Sequence, residues 1–211
     1  HPALDVGAGY FIGGLRSALN VRGCTLCIAL CPWWDRALVT FYMATFGVVI
    51  SCLIGFSVGT LCFQNKKSAA FMLGVCDIFQ TFPSFVYLIP VMMLFGITDT
   101  SVLIAVIVYA TIPATRYTIE GLRSVPIGLH EAATMSGVNK FQRLTKIEFP
   151  LAFPHMMLGL NHTIVFALFM VIIGAFIGTE DLGQYILKAL SDKNGAGIGL
   201  TLGICVAFIG L

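Results

Sequence analysis

Few residues in this chain combine type and spacing in a way that could do chemistry, and they point in different directions. Cys24, Cys27 and Cys31, followed by Pro32, have the Cys-x2-Cys-x3-Cys-Pro spacing of part of an iron–sulfur run. A fourth thiolate is missing nearby, and i, i+3, i+7 is also one face of a helix. Asp77 lies in an apolar stretch, where a carboxylate is a functional candidate by default. The competing reading places it at the edge of a membrane span, soon after Lys66 and Lys67. Glu120 and Arg123 stand at i, i+3 and are expected to pair. Asn161 and His162 could hydrogen-bond between helices or line a pathway. The fullest pattern is a polar island: Glu131-Ala132-Ala133, three residues, Gly137, nine residues, Ile147, one residue, Phe149-Pro150. Its small residues suit recognition, because they let a partner's backbone approach a helix face closely.

The elements that must carry these residues follow from composition. The 211-residue chain is 58% hydrophobic and only 10% charged, with mean hydropathy +0.93. Soluble domains carry about 25% charged residues, so the class is a polytopic helical membrane protein. A net charge of +2 gives no reason to expect nucleic-acid binding. The first residue is His1 and the last apolar run stops at Leu211, so a longer chain is expected. Seven cysteines are present, most within apolar runs, and they suggest no disulfide framework.

A spanning helix needs roughly 20 mainly apolar residues. The clearest candidate is Leu38–Phe63, which holds no charge. Residues 69–97 form a second run, broken by Asp77 and by Gln80-Thr81-Phe82-Pro83. Pro83 removes a helix donor and pushes the residue before it out of the α region. A short helix, a break, and a further segment over 84–97 are therefore expected, with part of the first helix also in the membrane. Residues 101–119 form the next span, kinked at Pro113. Residues 156–178 and 195–211 follow, the last truncated. Residues 6–31 are interrupted by Arg16 and Arg22 and read as a distorted span or an interfacial helix. Trp33 and Trp34 then suit an interfacial anchor. Gly174 and Gly178 form a small-xxx-small pair suited to close helix packing.

Lys and Arg fix the orientation. Lys66, Lys67, Arg116, Arg123, Lys140, Arg143 and Lys146 fall on one side; Lys188 and Lys193 fall on the other, with Asp99, Glu180, Asp181 and Asp192. The positive-inside bias puts the first side, and the island with it, in the cytoplasm. Within the island, Leu129, Ala132 or Ala133, Ser136 or Gly137 and Lys140 keep helical spacing. Pro126 fits an early helix position, Gly137 a turn, and Asn139 a cap for a second helix running to Pro150. Glu131 suits a helix first turn or a polar contact to a partner.

Glu131-Ala132-Ala133, Gly137, Ile147 and Pro150 resemble the cytoplasmic signature loop of permease subunits in binding-protein-dependent ABC importers. That pattern is Glu-Ala-Ala, three residues, Gly, nine residues, Ile, one residue, Leu-Pro; only Phe149 departs, at the Leu position. Gln80-Thr81-Phe82-Pro83-Ser84-Phe85-Val86-Tyr87-Leu88-Ile89-Pro90 and Met93-Leu94-Phe95-Gly96-Ile97 are similar to the quaternary-ammonium branch, as are Val125-Pro126 and Asp181-Leu182-Gly183-Gln184. That branch imports glycine betaine, proline, choline and carnitine. The resemblance covers residues 34–198. Residues 1–33 match nothing recognisable and form a separate N-terminal segment, a possible span, while 34–211 form the transmembrane domain.

The resemblance implies an all-α bundle of the type I importer permease kind, with about 5–6 spans in this chain. It implies a bacterial or archaeal plasma (inner) membrane location, with residues 123–155 as a cytoplasmic coupling loop. Glu131, Ala132, Ala133 and Gly137, with Ile147 and Pro150, would engage a separate ATP-binding subunit; two such subunits, a second permease copy and a periplasmic or lipid-anchored binding protein would complete the system. The chain itself would hydrolyse nothing and need no cofactor. Pro83, Phe85, Tyr87, Pro90, Asn161 and His162 are candidates for the translocation pathway, since a broken helix is tolerated in a membrane only beside protein or a cavity. Two alternatives stand: a permease for another small solute such as an amino acid, and a membrane redox protein built on Cys24, Cys27 and Cys31.

Overall fold

A computed structural model describes residues 34–175, and every described element is helical. Helix α1 is Trp34–Phe63, α2 Lys66–Thr81, α3 Phe85–Phe95, α4 Asp99–Arg123, α5 Ile127–Met135 and α6 Lys140–Arg143. A π-helical turn, Leu144–Glu148, joins α6 to α7, Phe149–Ala175. Residues Ala44–Ile173 form one compact unit. All the packing described below is within Ala44–Ile173.

Among the described residues, three helical stretches are long and apolar enough to cross a membrane: Leu38–Phe63, Asp99–Arg123 and Lys140–Gly174. Helices α2 and α3 make a fourth candidate as a pair, bent by 88° at their break. The break falls where Pro83 demands it. Asn65 starts α2 by accepting the Lys67 N–H at 3.1 Å, and Thr98 starts α4 by accepting the Ser101 N–H at 3.3 Å. These caps explain why both helices begin before their apolar runs do.

A stripe of small residues on α1 builds the tightest seam. Gly47, Ser51, Gly55 and Gly59 recur every fourth residue and so share one face. A Cβ at Gly55 would stand 2.5 Å from the Ala114 Cβ and 2.9 Å from the Thr115 backbone N; one at Gly59 would stand 2.7 Å from the Thr118 Cβ. The Ser51 hydroxyl donates to the Ile107 carbonyl of α4 at 3.0 Å. In lipid, helices associate through such close packing and interhelical hydrogen bonds rather than through the hydrophobic effect. On its other side, α4 packs against α7: a Cβ at Gly159 would meet the Tyr117 Cβ at 2.6 Å, and one at Gly121 the His155 Cβ at 2.9 Å.

Two sequence expectations are corrected. The second helix of the island does not end at Pro150; it continues through the π turn into α7, with Pro150 and Pro154 inside a continuous helical stretch. A π turn inserts one extra residue per hydrogen bond, and it sits immediately before the prolines whose N–H groups are missing. Glu120 pairs with Arg116, not with Arg123; Arg123 instead donates to the Lys66 carbonyl at 3.2 Å.

Candidate functional site

The polar island folds as a hairpin of two helical arms. Pro126 caps α5 and its carbonyl accepts the Leu129 N–H at 3.0 Å. The other end of α5 closes with a Schellman arrangement: the Val138 N–H reaches the Ala133 carbonyl and the Gly137 N–H the Thr134 carbonyl, both at 3.1 Å. Gly137 sits at φ +69°, and a Cβ there would meet nothing within 4 Å. Glycine is required for its backbone conformation, not for space. Asn139 opens the second arm, its own N–H reaching back to the Gln142 Oε1 at 3.2 Å.

The motif spacing has a geometric meaning. Ala132 and Ala133 on the first arm and Ile147 and Pro150 on the second line one groove of about 520 Å³ together with Leu129, Ser136 and Val138. Four of the six sequence-predicted coupling residues are thus brought to the same groove. Glu131 and Gly137 do not line it; both are exposed. Ala133 is buried, whereas Ala132 is exposed. Ile127 and Met135 present apolar surface at the two ends of α5, Met135 being 90% exposed.

The second arm is fixed to the bundle. Leu122, Ala152 and Met156 form a buried cluster, and Phe56, Phe63, Leu144 and Phe149 pack around it. Phe149, at the position where the resemblance expects Leu, therefore serves as an anchor between the arm and α1 and α4. The Arg143 Nε donates to the Glu148 Oε1 at 2.9 Å, and the Glu148 side chain is only 2% exposed. Neither residue drew attention as a pair in the sequence, because i, i+5 is not an α-helical neighbour spacing. The π turn between them brings that spacing onto one face.

A second site lies between α2, α4 and α7. A cavity of about 410 Å³ is lined by Gln80, Pro113, Arg116, Tyr117, Glu120, His162 and Phe166. Arg116 organises its charges: Nη1 donates to Asp77 at 2.6 Å and to Gln80 at 2.8 Å, and Nε to Glu120 at 3.0 Å. The edge reading of Asp77 is thereby given a partner, on a helix 39 residues away in sequence. An aromatic ladder joins the helices nearby: Tyr87 to Tyr109 at 5.1 Å and Tyr109 stacked on Phe166 at 4.8 Å. The Tyr87 hydroxyl donates to the Phe79 carbonyl across the α2–α3 break. Of the six pathway candidates, His162 lines the cavity and meets Tyr117 edge-on at 4.9 Å. Tyr87 is buried in the ladder; Pro83, Phe85, Pro90 and Asn161 are exposed outside the cavity. Cys24, Cys27, Cys31 and Gly178 lie outside the described residues. Among the described residues, Cys52, Cys62 and Cys76 are free thiols.

Comparison with known proteins agrees with this architecture. Residues 36–211 match the family model described as binding-protein-dependent transport system inner membrane component. The chain is 86% identical over 208 residues to the trimethylamine N-oxide transport system permease protein TmoV of Pelagibacter ubique, covering 99% of this chain and 29% of that protein. It is 36% identical over 157 residues to the glycine betaine/proline betaine transport system permease protein ProW of Escherichia coli, covering 74% of this chain and 44% of that one. The chain thus spans less than half the length of either relative. In fold it is similar to a chain of the MetNI methionine ABC transporter in an inward facing conformation, with TM-score 0.70, 21% identity, and coverage of 83% of this chain and 89% of that chain.

Proposed function

The chain belongs to the family of binding-protein-dependent transport system inner membrane components, and on that premise we propose that it is the permease through which an ATP-driven importer moves small methylated-nitrogen solutes. Membership makes it a multi-pass membrane component of a transport system rather than an enzyme. The observation that carries the mechanical part of the reading is the hairpin at 126–150. Four of its six motif residues converge on one groove, and its second arm runs without a break into the membrane helix α7.

A force applied to α5 would be passed on through Phe149, Leu144 and the Arg143–Glu148 pair to α1, α4 and α7. In this account the hairpin is cytoplasmic, and Glu131, Ala132, Ala133 and Gly137 meet a groove of a separate ATP-binding subunit. Closure of two such subunits would rock a pair of permease copies between inward- and outward-open states, and a binding protein would deliver the solute. Pro83, Phe85, Tyr87, Pro90, Asn161 and His162 remain proposed pathway residues.

The solute class rests on the residue 80–97 stretch and on the relatives, one named for trimethylamine N-oxide and one for glycine betaine and proline betaine. Trimethylamine N-oxide thus joins glycine betaine, choline, carnitine and proline as a candidate. The test is uptake of each radiolabelled solute by cells lacking their own importers and expressing the complete system. ATP-dependent uptake of trimethylamine N-oxide or a betaine is expected. Uptake of none of the methylated-nitrogen solutes would overturn the solute class.

A further inference from the structure

The cavity between α2, α4 and α7 has a composition that transport mechanics alone does not require. Its charged groups do not balance: Asp77 and Glu120 face a single guanidinium, Arg116, leaving one formal negative charge. Glu120 lines the cavity, and its side chain is 40% exposed. Two aromatic rings line the same space, Tyr117 and Phe166, each held by a ring neighbour, His162 at 4.9 Å and Tyr109 at 4.8 Å. A volume of about 410 Å³ falls within the range of small-molecule sites.

A methylated nitrogen carries positive charge but offers no N–H to donate. It can be held only by ring faces and by a nearby anion, and this wall contains both aromatic rings and a carboxylate. The opposite end of such a solute is an oxyanion. The Gln80 amide and the Arg116 guanidinium, both on the cavity lining, could meet it.

We propose that this cavity is a solute subsite within the permease, where Tyr117, Phe166 and Glu120 hold the methylated cationic end of the transported molecule. The proposal rests on the importer reading and adds to it that the membrane chain itself, not only a binding protein, recognises the solute. The site lies toward the end of α4 that carries Arg123, the end assigned to the cytoplasm, so it would hold the solute on its way inward.

The test uses the complete transporter in proteoliposomes, with His162→Cys as a reporter at the cavity rim. Its reaction with a membrane-impermeant thiol reagent is measured above the background of the parent. Trimethylamine N-oxide or glycine betaine should slow labelling about threefold once present at about twice its dissociation constant. Glycerol, which has no methylated nitrogen, should not. Phe166→Leu should abolish most of the protection and Phe166→Trp should keep it; Glu120→Gln should weaken it too, and the Phe166 pair keeps the test open if that variant fails to assemble. Equal labelling with and without solute, or equal protection by glycerol, would overturn the subsite while uptake by the parent still stood. Failure of the parent to take up either solute would instead overturn the transport reading beneath it.

Discussion

Two regions of this molecule use glycine for opposite reasons. Along the α1–α4 seam, Gly47, Gly55 and Gly59 are there because nothing larger fits: added Cβ atoms would meet α4 atoms at 2.5 to 2.7 Å. At the hairpin, Gly137 has open space around it but a backbone at φ +69°. The first kind holds helices together in a solvent that gives little other reason to associate. The second shapes an exposed turn, as the proposed coupling role requires. A substitution at the seam should therefore damage assembly, and one at the turn should damage coupling in a protein that still assembles.

The comparison breaks most visibly at Gly55. Gly55→Leu should push α1 from α4, cost more than the ~1–3 kcal/mol typical of overpacking, and remove the protein from the membrane fraction as judged by abundance and thermal melting. Normal abundance would show that the seam is looser than the packing distances indicate. Next is Arg143→Ala, which takes a charged hydrogen bond from the buried Glu148 and should cost about 1.5–3 kcal/mol. Assembly should survive while ATP-dependent uptake falls more than binding of the ATP-binding subunit does; equal loss of both would assign the pair to folding alone.

Gly137→Val comes third. Forcing a β-branched residue into the left-handed region costs about 1–2 kcal/mol, a factor of roughly 5–30 in the population of the formed turn. Uptake should drop with membrane abundance unchanged. Gly137→Asn should come close to the parent, because Asn tolerates that conformation; equal damage from both would mean that a side chain of any kind is excluded by the partner. The smallest effect is expected at Gly74 of α2, where a Cβ meets nothing within 4 Å. Gly74→Ala should leave uptake unchanged and stabilise the helix by about 0.5–1 kcal/mol. A clear loss would reveal a surface that packs against another subunit.

The two regions also differ in how legible they were. The hairpin could be read because its signals are local: Pro126 at a helix start, Gly137 at a turn, Asn139 at a cap. The break at Pro83 and the span Leu38–Phe63 were visible for the same reason. The continuation through Pro150 was not, because a π turn has no local signature and prolines usually end helices. Nor was the Arg116 cluster, since Asp77 and Gln80 come from a different helix; helical spacing offered Glu120 both Arg116 at i, i+4 and Arg123 at i, i+3 and could not choose between them. The Gly47–Ser51–Gly55–Gly59 stripe did carry a periodic signal, but in an apolar span small residues are easily read as filler until a partner helix lies against them.

The central claim is that the 126–150 hairpin is the cytoplasmic handle of the permease. It is tested most directly by placing a cysteine at Met135, which is 90% exposed at the end of α5, in the complete system. A membrane-impermeant thiol reagent should label it in inside-out vesicles and not in intact cells, and a short bifunctional reagent should join it to the ATP-binding subunit. Labelling from outside intact cells, or no cross-link to that subunit in an actively transporting system, would contradict the account.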